Sequence, residues 1–269
     1  MINSNKEIIE VNKKQKEFYN TKKKNFVSKI WAKIRGGLLN SSRQKLGIKE
    51  QTYETHLKWI GDVSNKKVLD LGCFEGNHFS LYLAEHSKEY IAIDLSDLAI
   101  EKLKKRLEPF ENSRAIAVDF FSKDFEEKEF DLIYAFGVLH HFEDKKMLIS
   151  KLNEKLNTNG EIISYDPLTT SLPIKILRFI YRPFQTDAAW EWPFTKKDYK
   201  LYDVSFNIIE KRGVLGKSKW FFMLNLLPLS NSKRIIIGKR WHQSDWDLSA
   251  TNDSRMYRCM HLTMRMKKK

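Results

Sequence analysis

The chain has 269 residues, of which 42% are hydrophobic and 30% charged, a balance typical of a globular protein rather than a disordered one. Its two cysteines exclude a fold held together by several disulfides. The net charge of +14 is unevenly spread, with +9 over residues 1–66, −7 over residues 67–169 and +12 over residues 170–269. Basic flanks favour an anionic partner, such as nucleic acid, anionic lipid or a phosphorylated small molecule, although solvated surface lysines account for many such excesses.

The opening segment, residues 1–66, predicts helices ahead of the first strand. Its aromatic residues, Tyr19 among them, suit a lid over a neighbouring site, although core packing is the commoner role. Residues 1–6 lack the apolar core of a signal peptide. The longest apolar run, residues 220–229, is too short to cross a bilayer and fits either lipid contact or additional core. We therefore expect a cytoplasmic protein without a transmembrane segment.

A glycine turn follows the first strand. The apolar residues 68–71 predict a buried strand that ends in a turn with Gly72 and Gly76, and a helix over 78–86 follows at once. A strand, a glycine turn and a helix in this order bring backbone N–H groups close to a ligand. Glycine allows a tight turn and leaves no Cβ in the way of that ligand. Two glycines alone are a weak signal, so the downstream strands decide.

Two further predicted strands end in carboxylates. The second ends in Asp94, eighteen residues after Gly76, and is followed by Ser96, a predicted helix N-cap; the third ends in Asp119 and Phe120. An acidic residue about 20 positions beyond the glycine turn is placed to accept hydrogen bonds from a ribose diol. Asp119 beside an aromatic ring suits an adenine, with the carboxylate on the exocyclic amine and the ring over one face.

The remaining predicted strands extend the sheet. A fourth strand covers 130–136, and a fifth covers 161–165 after a turn at 157–160. A sixth covers 204–208, behind a helix over 196–202 that Thr195 caps. The segment 258–266 alternates, with Met260, Leu262, Met264 and Met266 on one face and His261, Thr263 and Arg265 on an incompletely covered one. The strand ends therefore converge on one edge of a largely parallel sheet.

Residues 67–166 resemble the core of the class I S-adenosylmethionine-dependent methyltransferases. Residues 68–76 are similar to the family's first motif, Asp94 to its ribose-binding acid and Asp119 to its adenine-contacting acid. The resemblance implies a doubly wound, Rossmann-like α/β fold with a seven-stranded sheet, mostly parallel with an antiparallel last strand, plus N-terminal helices and a C-terminal insertion. Phe74 stands where the family has the middle glycine of its first motif, so its ring must point away from the ligand or pack over it.

The resemblance also implies a domain plan and a cofactor site. We expect an N-terminal helical lid over 1–66 and a methyltransferase domain over 67–269, with a cofactor half (67–166), a substrate-shaping half (167–257) and a last strand (258–267). S-adenosyl-L-methionine is the implied cofactor, and the carboxylate of Asp70 is expected near its methionine end. The residues implied to bind it are Asp70, Gly72, Cys73, Gly76, Asp94, Leu95, Asp119, Phe120 and Phe136.

Catalytic and substrate candidates lie beyond the fourth strand. His140 and His141 suit general-base work on a hydroxyl because histidine titrates near neutrality, although either could instead hold the loop. Trp190 and Trp192 are predicted to wall the substrate pocket, together with Tyr165. Asp166 is a further polar candidate. No metal site is predicted, because the two histidines are adjacent rather than four apart on a helix.

A short basic amphipathic helix is predicted over 172–183. Its apolar face carries Ile174, Leu177, Ile180 and Tyr181, and its basic face carries Lys175, Arg178 and Arg182. Such a helix suits contact with a membrane surface or an anionic substrate. A surface helix that covers the sheet is the commoner alternative.

Taken together, these features predict methyl transfer, most readily to oxygen, on a small or lipid-linked acceptor with an anionic group. A cell-envelope glycan or polyprenyl-type intermediate fits, with peripheral membrane contact. An RNA methyltransferase is the alternative that the basic charge favours. Against it, residues 135–138 lack the Asn/Asp-Pro-Pro-aromatic loop of the family's exocyclic-amine nucleic-acid enzymes. A cofactor-binding scaffold without transfer activity is the third alternative.

Overall fold

The computed structural model describes residues 2–21, 36–37, 39–186 and 188–269. The strands are β1 (Lys67–Leu71), β2 (Glu89–Asp94), β3 (Ser113–Ala117), β4 (Phe130–Phe136), β5 (Leu156–Pro167), β6 (Phe206–Val214) and β7 (His261–Lys268). They form a seven-stranded sheet in the order β3-β2-β1-β4-β5-β7-β6. β7 runs antiparallel to both of its neighbours, β5 and β6, whereas the other neighbouring strands pair in parallel. The predicted sheet class is confirmed.

Helices cover both faces of the sheet. They are α1 (Ile2–Thr21), α2 (Ile48–Ile60), α3 (His78–His86), α4 (Asp97–Leu107), α5 (Lys145–Lys155), α6 (Leu172–Tyr181), α7 (Lys196–Ser205), α8 (Asn231–Thr251) and α9 (Asp253–Met256). Apolar side chains of α2, α3 and α4 pack on one face of the sheet, and those of α5 and α7 pack on the other. The sheet is therefore doubly wound. None of the helices in the described ranges is long and apolar enough to span a membrane.

Side-chain caps fix where several helices begin. Asn77 accepts the N–H groups of Phe79 and Ser80 at the start of α3, whose bounds are as predicted. Ser96 caps α4 and Thr195 caps α7, and both predicted N-caps are confirmed. Each cap satisfies N–H groups that have no partner within the helix. The caps hold the first turns of α3 and α4 beside the strand ends.

Several predicted strand boundaries are wrong; the last strand, for example, starts at His261 rather than 258, and the sixth ends at Val214 rather than 208. β5 begins at Leu156 and runs through the predicted turn at 157–160, where its pairing with β4 is irregular. The sixth strand starts at Phe206 rather than 204, because Val204 and Ser205 are the last residues of α7. The alternation around Val204 misled the prediction, since its side chain is exposed at a helix end.

The last strand is buried on one face and partly covered on the other. Leu262, Met264 and Met266 are buried, as their alternation predicted. On the opposite face, which was predicted to be incompletely covered, His261 and Arg265 are partly exposed, whereas Thr263 is fully buried. Its hydroxyl donates to the Ser164 carbonyl (2.7 Å) and lies 2.7 Å from Nε2 of His56 on α2. Helix α2 supplies the cover that the sequence pattern did not show.

The C-terminal insertion and α6 divide their apolar residues between core and solvent. Within the run 220–229, Phe221 and Leu224 are buried against Trp246 of α8, whereas Leu226 is exposed. In α6, the only buried residue is Ile174. Leu177 and Ile180, which the sequence placed with Ile174 on one apolar face, are exposed, so that face does not cover the sheet as a whole. The predicted domain boundaries stay predictions.

Candidate active site

A first cavity of about 220 Å³ lies at the carboxyl ends of β1 to β4. Among the residues predicted to bind the cofactor, those that line it are Gly72, Asp94, Leu95, Asp119, Phe120 and Phe136. Asn12, Gln15 and Tyr19 of α1 close it from outside. In open α/β sheets this edge of the sheet is where ligands bind. The structure thus brings most of the predicted set together around one space.

The turn after β1 depends on two glycines. Gly72 and Gly76 have φ of +71° and +78°, a region that favours glycine. A Cβ on Gly72 would lie 2.3 Å from a methyl carbon of Val138, and one on Gly76 would lie 2.6 Å from a methyl carbon of Leu103. The tight turn was one predicted reason for these glycines, and access for a ligand was the other. The structure adds a third reason, because close packing on the loop after β4 and on α4 leaves no space for a side chain. Gly76 itself does not line the cavity.

Phe74 packs over the cavity rather than away from it. Its φ of +50° places a phenylalanine in the left-handed conformation that suits the glycine found here in the family. Its N–H donates to Oδ2 of Asp94 at 3.0 Å. Its ring lines the cavity, with its centroid 6.0 Å from that of Tyr19. The turn survives the missing glycine, and the side chain adds a wall.

Asp94 and Asp119 present carboxylates to the cavity. Asp94 accepts the N–H of Ser96 at 2.8 Å in addition to that of Phe74, and burial raises its pKa. Asp119 accepts the N–H of Phe121 at 2.9 Å and the side-chain amide of Asn12. Carboxylate oxygens have further lone pairs, so both groups can still accept from a bound diol or amine. The hydrogen-bond acceptors that a nucleoside's diol and amine need are therefore present.

Asp70 and Cys73 lie behind the cavity instead of lining it. The carboxylate of Asp70 is buried and accepts from Ser80 Oγ at 2.6 Å and from Tyr90 OH at 2.7 Å, and burial raises its pKa to about 6. Because side chains alternate along a strand, Asp70 faces α3. Burial likewise raises the pKa of the Cys73 thiol. The expectation that Asp70 lies beside the cofactor is not met; it joins β1 to α3 and β2.

A second cavity, of about 390 Å³, meets the first at the end of β4. Phe136 and Gly137 line both cavities. The polar and charged residues around the second are Asn40, Arg43, His140, Tyr165, Arg178, Glu191 and His261. Tyr165 thus lies where a substrate residue was predicted. The two cavities are thus adjacent, with Phe136 and Gly137 between them.

The two tryptophans do not form a wall of either cavity. Trp190 is buried, and its ring packs against Phe18 of α1 with a centroid distance of 5.3 Å. Trp192 donates its backbone N–H to the His140 carbonyl at 3.0 Å. The residue between them, Glu191, reaches the second cavity instead. The roles of Trp190 and Trp192 in substrate binding stay predictions.

His140 lies between two carboxylates at the second cavity. Its Nδ1 is 2.9 Å from Oδ1 of Asp166, which also accepts its backbone N–H, and its Nε2 is 3.8 Å from Oε1 of Glu191. Burial alone would lower the pKa of His140, but the two carboxylates together raise it to about 9. Burial would raise the pKa of Glu191, but the contact with His140 lowers it to about 2. The site therefore holds an imidazolium at neutral pH.

His141 has the opposite environment. Its Nδ1 is 2.8 Å from the carbonyl of Trp190, which can only accept, so Nδ1 carries the proton. Its Nε2 then accepts from the Tyr19 hydroxyl at 3.1 Å. Burial and the charge of His140 lower the pKa of His141 to about 4, so this ring is neutral. His141 lines the first cavity and connects α1 to the loop after β4.

Three side chains near the junction come within metal-binding reach of one another. One nitrogen of each of His140 and His141 and one oxygen of Glu191 lie within 4.8 Å of one another. Both nitrogens of His141 and Nδ1 of His140 already have hydrogen-bond partners. That leaves two donors, whereas a catalytic zinc site uses three protein ligands. The prediction of no metal site stays a prediction.

Sequence reasoning missed three charged residues of this region. Lys145 donates to the carbonyls of Leu139 and Phe142 and so holds the short turn that carries His140, and burial lowers its pKa to about 8. Arg43 contacts Nε2 of His261 through Nη2 at 3.3 Å. Glu191 is the third. No spacing marks them, because each reaches the site from a different part of the chain.

A doubly wound sheet of this order, with carboxylates at the ends of β2 and β3 around a nucleoside-sized cavity, defines a class I S-adenosylmethionine-dependent methyltransferase. The profile of the family described as methyltransferase domain matches residues 48–216, and the chain belongs to that family. S-adenosylmethionine is the cofactor, and the residues around the first cavity are of the types that its adenine and ribose need.

Relatives by sequence match part of the chain. An uncharacterized protein of Haemophilus influenzae is 32% identical over 123 residues, which cover 43% of this chain and 48% of that protein. The tRNA U34 carboxymethyltransferase of Shewanella pealeana is 32% identical over 117 residues, which cover 41% of this chain and 34% of that enzyme. The chain thus spans half or less of the length of these relatives.

Solved structures share the fold. The N-methyltransferase NodS of Bradyrhizobium japonicum, in complex with S-adenosylhomocysteine, aligns with a TM-score of 0.52 at 15% identity over 82% of this chain and 86% of that one. A second structure is that of the geranyl diphosphate C-methyltransferase of Streptomyces coelicolor, in complex with Mg²⁺, geranyl diphosphate and S-adenosylhomocysteine. It aligns with a TM-score of 0.55 at 10% identity, over 82% of this chain and 81% of that one. At these identities the likeness shows the fold and not the acceptor.

Proposed function

We propose that the protein methylates a hydroxyl oxygen of a small or lipid-linked acceptor that binds in the second cavity. The observation that carries this proposal is the pairing of His140 with Asp166 at a cavity that shares Phe136 and Gly137 with the cofactor site. A histidine whose far nitrogen is held by a buried carboxylate is the arrangement that general-base catalysis uses.

The chain's own residues account for each requirement of such a transfer. S-adenosylmethionine supplies a methyl group on a positively charged sulfur. The protein must align the acceptor and remove its proton. Nε2 of His140 in its neutral form is the candidate to take the proton, since Asp166 holds Nδ1 and stabilises the resulting imidazolium. His141 is better suited to fixing Tyr19 over the first cavity than to acting as a base.

The lining of the second cavity supports an acceptor that is partly apolar and carries an anionic group. Arg43 and Arg178 are the cations of that lining. Phe136, Tyr165 and Met260 add apolar and aromatic surface. A glycan intermediate or a polyprenyl-type lipid with a phosphate group would match both the arginines and the apolar surface. A lipid-linked acceptor would bring the protein to a membrane surface.

Transfer to RNA is the second candidate function. It is supported by the likeness to tRNA U34 carboxymethyltransferases at 27–32% identity and by the net charge of +14. That likeness covers about two fifths to one half of this chain. The hydroxyl proposal ranks first because it accounts for the buried His140–Asp166 pair.

Methyl uptake from labelled S-adenosylmethionine into separated lipid-linked, glycan and RNA fractions tests the proposal. We expect label in a lipid-linked or glycan fraction, released by reagents that cleave methyl ethers. His140→Gln should lower turnover by about 10²–10⁴-fold, the usual contribution of a general base, without loss of S-adenosylhomocysteine binding. His86→Gln, an exposed histidine on α3, is the matched control. Label only in RNA would establish the second candidate instead.

A further inference from the structure

Helix α6 exposes a continuous apolar face. The side chains at positions i, i+4, i+7 and i+8 of one face are Leu172, Ile176, Phe179 and Ile180, with exposures of 68%, 53%, 82% and 61%. Residues at this spacing lie on one side of an α-helix. An ordinary surface helix turns such a face toward the core. The orientation of α6 is the reverse of that expectation.

Basic residues border this face without any acidic one. Lys175, Arg178 and Arg182 are the charged residues of the segment 172–184, which has no Asp or Glu. An apolar face flanked by cations is the pattern of helices that lie in the interface of an anionic bilayer. The last hundred residues carry a net charge of +12, so the surrounding potential has the same sign.

The opposite side of α6 belongs to the second cavity. Ile174 is buried, and Arg178, one turn further along that side, lines the cavity with Glu191 and His140. Phe179, the next residue, is among the most exposed hydrophobic side chains. A single helix therefore contributes to the wall of the cavity on one side and to the apolar surface on the other.

We propose that α6 docks the protein on an anionic lipid surface, with its apolar face at the level of the headgroups. The second cavity then lies beside the bilayer, where a lipid-linked acceptor is within reach. The docking rests on α6 alone, whereas the delivery of an acceptor rests on the proposed function. A second copy of the chain is a poorer occupant, because a two-fold contact would bring the same cations together.

Vesicle flotation tests the docking. We expect the purified protein to float with phosphatidylcholine vesicles that contain phosphatidylglycerol, and at least tenfold less with phosphatidylcholine alone. The double variant Ile176→Ser/Phe179→Ser should lose at least tenfold in binding to the anionic vesicles. Val204→Ser/Ile209→Ser, which changes two exposed apolar residues of α7 and β6, is the matched control and should bind as the wild type does.

Calorimetry with S-adenosylhomocysteine separates this inference from the proposed function. Equal cofactor affinity in all three proteins shows that the variants are folded. Wild-type protein that fails to bind anionic vesicles, or a double variant that still binds them fully, overturns the docking. A wild-type dimer in light scattering that the double variant abolishes also overturns it, in favour of a second copy. Absence of cofactor binding would overturn the proposed function and leave the flotation result standing.

Discussion

Two adjacent histidines have opposite protonation because their partners differ. Asp166 and Glu191 raise the pKa of His140 to about 9, whereas burial lowers that of His141 to about 4. The sequence placed both in the loop after the fourth strand and could not separate them. Their partners come from residues 19 to 191, so only the folded chain determines which ring can hold a proton.

The raised pKa of His140 predicts an alkaline rate profile. A base must be neutral to act, and with a pKa of about 9 only about 1% of this ring is neutral at pH 7. Turnover should therefore rise nearly tenfold per pH unit between about pH 7 and 8 and level off above pH 9. Glu191→Gln removes one of the charges that raise the pKa and should move the midpoint to lower pH. Steady-state rates at saturating substrates measure this; a flat profile between pH 6 and 9 would remove His140 as the base.

Phe74 should lower the stability of the fold through backbone strain and slow the dissociation of the cofactor. Its left-handed conformation costs a non-glycine residue about 1–2 kcal/mol, so Phe74→Gly should not lower the melting temperature. Loss of the ring beside Tyr19 should speed S-adenosylhomocysteine dissociation several-fold. Stopped-flow displacement and thermal denaturation measure the two effects. Phe74→Ala keeps the strain and removes the ring, so it should dissociate as fast but be less stable than the glycine variant. Unchanged dissociation in both variants would contradict this account.

At the scale of elements, α1 reaches the cofactor cavity from outside the sheet. Asn12 donates to Asp119, and Tyr19 to His141, whereas Lys16 and Asn20 contact Asp97 at 3.0 and 2.8 Å. Two of these contacts lie at the cavity and two hold the helix to α4. Because the cavity-side contacts involve groups that face the ligand, a bound cofactor should strengthen the seating of α1.

Hydrogen–deuterium exchange measures that seating. Saturation with S-adenosylhomocysteine should slow exchange of the amides in residues 10–21 relative to the free protein. Tyr19→Phe should reduce the slowing, since it removes the hydroxyl that reaches His141. The exposed end of α7 serves as an internal reference and should not change. If the amides of α1 exchange at the same rate with and without S-adenosylhomocysteine, the helix is not a lid.

The elements that the sequence predicted well are those set by local chemistry. The bounds of β4 and α3 follow from an apolar run and an Asn cap, and both were predicted to the residue. The glycine turn and the acidic strand ends were likewise local. The second cavity could not be predicted, because Arg43, His140 and Glu191 reach it from segments that are distant in the sequence. The outward face of α6 also depends on how neighbouring elements seat the helix.

At the scale of the whole molecule, the salt dependence of acceptor binding distinguishes an RNA acceptor from a small acceptor with one anionic group. RNA binding releases counterions, with a slope of about −0.7 per phosphate contacted on single strands, so several contacts make affinity fall steeply with salt. We expect the KM of the acceptor to change by less than about tenfold between 50 and 200 mM salt if one anionic group is held. Turnover assays with the labelled fraction measure this. A change of about a thousandfold would indicate a nucleic acid.

The position of β7 has a consequence for how the chain is made. β7 follows all other strands in the sequence, yet it lies between β5 and β6. Until the ribosome has released His261–Lys268, β5 has an open edge and β6 has no neighbour to pair with. Open edges invite pairing with other chains. Until then the nascent chain should be prone to pairing with other chains, and the acceptor side of the sheet should form after the cofactor side.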